Sequence, residues 1–434
     1  MRIFRKLIAI GLSIVLLTGC ASLSGLNSGS KGLVKANVVF AETKEAQPLA
    51  VIEDLRDKRV KRANALGLEL LGQLAAANQD GNMLFSPTSL AFALAMLQNG
   101  AVGQTETDIL GVMGEDKATL NEDYQAWMQY LNLLSHKADK DIPELKLQLA
   151  NSLWVKEGLS PKQNFVDTLS AYYNAEVYQA DFSKAEAVKE MNGWVEAKTN
   201  GLLKDTFKEL DPMLVAILMN TVYFKASWIS EFDIKNTKKE PFFLTPSDKV
   251  DVAFMHQTNT FAYFENDQLQ LAGLPYYGGA TMWVALPKGN ASPLAETLTY
   301  DKLATWIASA GTSSKRLELS FPKLDYSVSN PLSDILKKAG MDVAFSPTDA
   351  DFSELVTAPG ENVFVSQIYQ NAKILVDEVG TEAAAVTVVE MGTTSMPVEQ
   401  EPIIFNANKP FAYFIMDDRT GSLLFTGVVR NPNK

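Results

Sequence analysis

The apolar positions along this chain change period several times, and each change marks an element. Between Val51 and Asn78, Leu55, Ala63, Leu66, Leu70 and Leu74 recur at helical spacing, and the polar stretch Asn78 to Gly81 ends the pattern. One amphipathic helix is predicted there. Leu90 to Leu97 is an unbroken apolar run behind Ser86-Pro87, a capping residue followed by proline at a first helical position, and predicts a buried helix. Leu145 to Trp154 reads as a strand and Glu190 to Gly201 as a helix. Leu214 to Trp228 is apolar throughout, as expected of a central strand covered on both faces. Phe254 to Pro287 divides into FMHQ, FAYFEN, LQLAGLPYYGG and ATMWVALPKG, the short strands of a second antiparallel sheet. Arg316 to Tyr326 reads as one strand, and Ser333 to Ala339 as a helix stopped by Gly340. Val363 to Val376 reads as a strand, and Phe411 to Val429 as a closing hairpin.

One stretch, Asp377 to Pro410, stands apart. Its first part, Gly380 to Met391, holds small and β-branched residues with no proline and no basic side chain. As a strand it would place Thr381, Ala383, Ala385, Thr387, Val389 and Met391 on one face, and Glu382, Ala384, Val386, Val388 and Glu390 on the other. Both charges then fall on one side. Glycine and successive alanines are poor strand formers, so a short helix or a linker stays open for the resting state.

Glu378, Gly380, Thr381, Glu382, Ala383, Ala384 and Ala385 resemble the hinge of the serpin reactive loop, and Asn408-Lys409-Pro410-Phe411 resembles the segment that follows that loop. The resemblance extends through Ser86-Pro87-Thr88-Ser89, Asn151-Ser152-Leu153-Trp154 and Leu214 to Trp228 in the same order, and covers roughly Val51 to Pro432. It implies an α+β serpin fold: a large, mostly antiparallel central sheet, two further sheets, eight to nine helices and an exposed reactive-centre loop at about 378–402. It also implies that Ser86, Ser89, Asn220 and Gln370 form a latch beneath strands that must part, with glutamine where many members have histidine. Trp228, Lys323 and Glu378 match a cluster where the loop first meets the sheet, and a Lys323–Glu378 ion pair is expected there. The family spacing from Glu378 places the attacked bond between Thr394 and Ser395, with Met391, Thr393 and Met396 as alternatives.

The implied function is suicide inhibition of serine proteases, with a non-inhibitory serpin-fold binding protein as the alternative. No Lys or Arg occurs from Ile374 to Asn408, so a trypsin-like pocket finds no basic side chain to hold. Proteases that accept small or apolar residues, subtilisin-like or elastase-like, are the expected targets, with papain-like enzymes a further option.

Composition supports this and removes other classes. The 434 residues are 47% hydrophobic and 21% charged, enough for a large core, and the net charge of -12 with no basic patch argues against nucleic acid. Only His136 and His256 are present, neither in a recognisable catalytic setting, and the GxSxG, HExxH and P-loop patterns are absent. No enzyme activity, metal or other cofactor is expected. Residues 1–19 read as a secretion signal, and Leu17-Thr18-Gly19-Cys20 resembles a bacterial lipobox that would lipidate Cys20, the only cysteine. Residues 20–50 are then expected to be a flexible tether and 51–434 the folded domain, a monomer held at a membrane surface outside the cytoplasm.

Overall fold

A computed structural model describes residues 32–43, 48–139, 142–289, 291–358, 362–381 and 401–434. Among these, one sheet has seven strands, another nine, and a small pair joins Ser160–Pro161 to Val356–Thr357. Residues 382–400, which carry most of the bait, and residues 1–31, with the signal and Cys20, lie outside the described residues.

In the seven-stranded sheet, Ala216–Ser227 lies between Lys146–Lys156, antiparallel to it, and Gln367–Val376, parallel to it; Leu324–Pro331 forms the far edge. Its unbroken apolar sequence reflects burial on both faces. Leu218 and Val222 share a hydrophobic cluster with the helix Pro87–Gln98, whose residues are all buried, whereas Ile217 and Met219 pack with Met191 and Trp194 of the helix Ala185–Lys198. Two helices thus sandwich the strand. The amphipathic helix opens at Leu49–Leu55 and runs through a π-turn at Arg56–Val60 into Lys61–Ala77. The closing hairpin is Phe411–Asp417 with Leu423–Val429, and Met83–Phe85 adds a third strand to it.

Three expectations change. FMHQ and FAYFEN are not two strands but parts of one 17-residue strand, Lys249–Glu265. The polar residues Thr258, Asn259 and Thr260 look like a turn in sequence, but Thr258 and Thr260 are exposed and Asn259 half-buried on a strand whose residues 254–262 pair with Ser314–Pro322. Arg316 to Tyr326, conversely, is two strands in two sheets, Ser314–Pro322 and Leu324–Pro331, and the chain crosses at Lys323. An alternating pattern shows that a residue faces a core without saying which core. Within the expected tether, residues 32–43 lie along the body. Leu33–Val34 pairs with Val177 and Tyr178 at the edge of the seven-stranded sheet, Asn37 N–H donates to Asp167 Oδ1 at 2.6 Å, and Phe40 is buried. Two short hydrophobic residues between polar ones gave no strand signal in isolation.

Candidate functional site

Ala216–Ser227 and Gln367–Val376 are neighbours from Ile217–Gln367 up to Val222–Ala372, and then diverge. Above the divergence Gly380–Thr381 sits between them, antiparallel to both: Gly380 opposite Ser227, Thr381 opposite Ala226 and Val376. Between those levels, residues 223–225 and 373–375 pair outward, with Lys146–Lys156 and Leu324–Pro331, and have no described partner on the edges that face each other. Gly380 and Thr381 of the hinge therefore already occupy the top of a slot closed below by six register pairs.

Side chains hold the hinge in that position. The Gly380 backbone runs so close to its neighbour that an added Cβ would stand 2.1 Å from the Ala226 carbonyl oxygen, so only glycine fits. Thr381 is buried, and its Oγ1 lies 2.7 Å from the Tyr276 hydroxyl. Burial pushes the Tyr276 phenol well up, against the opposing effect of the Thr381 bond. Asp377 Oδ1 accepts from the backbone N–H groups of Val379 and Gly380, closing the turn that reverses the chain. Trp228 stacks on Tyr276 at 4.1 Å between ring centroids, donates its indole N–H to the Asp377 carbonyl, and donates its backbone N–H to the Val379 carbonyl at 2.8 Å.

The expected ion pair is present: Lys323 Nζ donates to Glu378 Oε2 at 2.7 Å. It is not a surface pair, because the Glu378 side chain is only 8% exposed against 39% for Lys323. Thr237 donates its hydroxyl to the other carboxylate oxygen at 2.7 Å. Burial alone would raise the Glu378 pKa, but the hydrogen bonds from Lys323 and Thr237 outweigh it and hold the carboxyl below its ordinary value. Lys323 can do this because it sits where the chain passes between sheets.

Beneath the divergence lies the latch. Gln370 accepts from the Ser86 backbone N–H through Oε1 at 2.7 Å, and through Nε2 donates to the Ser86 carbonyl at 2.9 Å and to Asn220 Oδ1 at 3.2 Å. Asn220 Nδ2 donates to the Ser89 carbonyl at 2.8 Å and to Asn151 Oδ1 at 2.6 Å. Ser86 Oγ caps its helix by accepting from the Ser89 N–H, so both serines engage the amides through backbone groups, and the Ser89 hydroxyl has no partner among the described residues. Two members escaped the sequence reading. Asn151 and Asn330 fall on the same row as Asn220 and Gln370, and Asn330 donates to the Leu84 carbonyl at 2.7 Å, so four buried amides cross four adjacent strands. Asn151 alone stood out, as an asparagine in a largely apolar strand, whereas Asn330 lies among polar residues and its place in the row follows only from register. Of the remaining predicted residues, Glu382 and Ala383 to Ala385, the bonds at Met391, Thr393, Thr394, Ser395 and Met396, and Cys20 lie outside the described residues.

With this geometry the comparisons agree. A family model described as serpin (serine protease inhibitor) matches residues 61–432. An uncharacterized serpin-like protein of Thermococcus kodakarensis is 37% identical over 390 residues, covering 88% of each chain. The native state of a thermophilic serpin, tengpin, superposes with a TM-score of 0.76 at 27% identity over 92% of this chain and 97% of that one. Human thyroxine-binding globulin does so with 0.77 at 26% identity over 88% and 99%. A hinge lodged at the top of a parting sheet, a latch below it and a family match across the folded domain lead to one statement: the chain belongs to the serpin family.

Proposed function

We propose that this protein is a suicide inhibitor of serine endopeptidases that traps its target by inserting the cleaved bait into the seven-stranded sheet. The observation that carries the reading is Gly380–Thr381, held antiparallel between two strands that are parallel neighbours below. Continued in that register, each further bait residue steps one place back along Ala216–Ser227. Thr387 then falls opposite both Asn220 and Gln370, in the amide row, and Met391 falls opposite Ala216 at the strand's lower end. The face shared with Thr381 carries no charge, and Glu382 and Glu390 point the other way. A bond after Thr394 lies three residues beyond the end of the ladder, which would leave an acylated protease attached at the opposite end of the sheet from where it was captured.

The absence of basic residues from Ile374 to Asn408 directs the bait to proteases that take small or apolar side chains, subtilisin-like or elastase-like, with papain-like enzymes less favoured. The chain itself performs no turnover in this scheme; the protease does the chemistry and is consumed. Export and attachment to a membrane through lipid on Cys20 belong to the same proposal, supported by the charged, apolar and Leu17-to-Cys20 pattern. Labelled palmitate entering the wild type and not Cys20→Ala is the expected result.

A second reading, ligand carriage without inhibition, has a cleft in its favour. A cavity of about 750 Å³ lies between the helix Lys61–Ala77 and residues 296–301, with Leu68, Gly72 and Tyr300 on its walls. Human thyroxine-binding globulin, of the same fold, was solved in complex with thyroxine. Incubation with neutral serine proteases and a denaturing gel separates the two. Inhibition gives a covalent band, with mass spectrometry locating the attachment at 391–396; cleavage of the bait without such a band selects carriage.

A further inference from the structure

The walls of the slot below Gly380–Thr381 carry charges that neither the amide latch nor the Glu378 cluster uses. Lys225 stands on one wall and Lys373 on the other, each within a stretch, 223–225 or 373–375, that has no described partner on its inward edge. Strand alternation and the parallel register put Tyr223, Lys225 and Lys373 on the sheet face that lower down carries Ile217, Met219 and Tyr369. Lys146 is the direct cross-strand partner of Lys225, and its Nζ lies 5.1 Å from the centre of the Tyr223 ring. Like charges directly opposite each other repel. Glu144 Oε2 accepts from Lys225 Nζ at 2.9 Å, and Asp325 Oδ1 lies 3.0 Å from Lys373 Nζ. Two carboxylates thus stand against three ammonium groups at the mouth of the slot. The Lys225 and Lys373 side chains are only 21% and 23% exposed, so water screens them incompletely.

We propose that Lys225 receives Glu382, the first charged residue of the bait beyond Thr381, and that Glu144 is the rival carboxylate it releases. Lys225 is then a positioning residue for the entry of the bait, and the inference rests on the insertion reading. Thr381 stands opposite Ala226 and Val376, so the next residue in the same register stands opposite Lys225 on one side and Leu375 on the other. Directly opposite residues share a face, with Cβ atoms about 4.5–5.5 Å apart, within easy reach of a lysine and a glutamate. Lys373 falls one step further, opposite Ala384. Glu390, the other acid on this face of the bait, arrives beside Ile217 and Gln367 at the lower end.

The two carboxylates act on the same ammonium group in different states. The Lys225–Glu144 pair belongs to the resting sheet and opposes entry, whereas a Lys225–Glu382 pair exists only once entry has begun and favours it. Exchanging one for the other changes the total energy little. Removing either carboxylate alone shifts the balance, and in opposite directions. The exchange comes at the first step, five residues before Thr387 reaches the amide row, so it bears on the rate at which the bait is taken up.

An acylated bait has two fates. The sheet takes it up, or water hydrolyses the acyl ester, which frees the protease and leaves a cut chain. With the full chain and subtilisin as the probe, the ratio of cut free chain to covalent complex on a denaturing gel reads the competition. Glu382→Gln is expected to raise that ratio about threefold and Glu144→Gln to lower it about threefold, the size of one partly exposed ion pair. Both effects should vanish in a Lys225→Met background and persist in Lys225→Arg, with melts of the uncut variants checking that each is folded. The opposed signs of the two glutamate variants decide the matter even where Lys225→Met is unstable, since a merely structural loss would move both ratios the same way. Ratios that stay level or move together, or effects that persist without the lysine charge, overturn this proposal alone. A wild type that forms no covalent complex overturns the inhibition reading and this proposal with it.

Discussion

At the scale of single residues, the hinge depends on two side chains whose environment differs from what their type suggests. A lysine–glutamate pair at a surface contributes only about 0–1 kcal/mol. Glu378 is buried, however, and accepts from both Lys323 and Thr237, so removing its charge is expected to cost about 1–3 kcal/mol. Because the folded-state pKa is held below the ordinary carboxylate value, that stability is fully present above about pH 4.3 and is lost as pH falls through the lowered value. Thermal melts of wild type and Glu378→Gln should therefore differ at pH 7 and converge at strongly acid pH; a constant difference would mean that the charge is irrelevant. Glu378→Lys places two cations together and should raise spontaneous insertion or polymer content, read by native gel. Gly380→Ala acts by volume instead, since its methyl would overlap the Ala226 carbonyl. Expulsion of Gly380–Thr381 from the slot, with a cost of about 1–3 kcal/mol, is expected, and exchange of the Thr381 amide should accelerate.

Elements show which parts of this arrangement the amino-acid order reveals and which it does not. Helix Pro87–Gln98 and strand Ala216–Ser227 are legible because their apolar character is continuous, and continuity means burial on every side wherever the element lies. The division at Lys323 is not legible, because pairing partners 38 to 86 residues away decide which sheet a strand joins. The latch was half visible: Ser86, Ser89, Asn220 and Gln370 came from resemblance, whereas Asn151 and Asn330 are defined by register across strands, which no local pattern encodes. The row has a consequence for pH. Gln370 accepts and donates at once without titrating, so the latch should be indifferent to pH between 5 and 8. Gln370→His replaces it with a ring that, once protonated, cannot accept from the Ser86 N–H. That variant should lose stability as pH falls through about 6.5, and denaturant melts at pH 5.5 and 8 read the effect directly. Gln370→Ala orphans the Ser86 N–H and the Asn220 acceptor and should cost about 2–4 kcal/mol at either pH.

For the whole molecule, the described strands part at the centre of the seven-stranded sheet, where residues 223–225 and 373–375 have no described partner on their facing edges. Adding residues 382–391 between Ala216–Ser227 and Gln367–Val376 would break the six parallel register pairs below the divergence and the amide contact between Gln370 and Asn220. In their place an antiparallel strand is paired on both edges, and Thr387 can rejoin the amide row with a hydroxyl that both donates and accepts. At about 0.5–1.5 kcal/mol net for each added ladder bond, the balance favours insertion by on the order of 10 kcal/mol once the lost pairs are subtracted. Gly380–Thr381 and Ile403–Asn406 hold the two ends of the segment between them, so under the proposed mechanism a cut within it would make that energy accessible. For a chain of this size about 1 kcal/mol corresponds to roughly 2 °C or somewhat less, so the nicked protein should melt about 15–20 °C above the intact one. The measurement needs no knowledge of the physiological target, since any protease that cuts within 391–396 will serve. A nicked form that melts with the intact one would leave the sheet complete as it stands, with no energy stored against a protease, and the carriage reading would then have to explain why the hinge sits at the top of the slot.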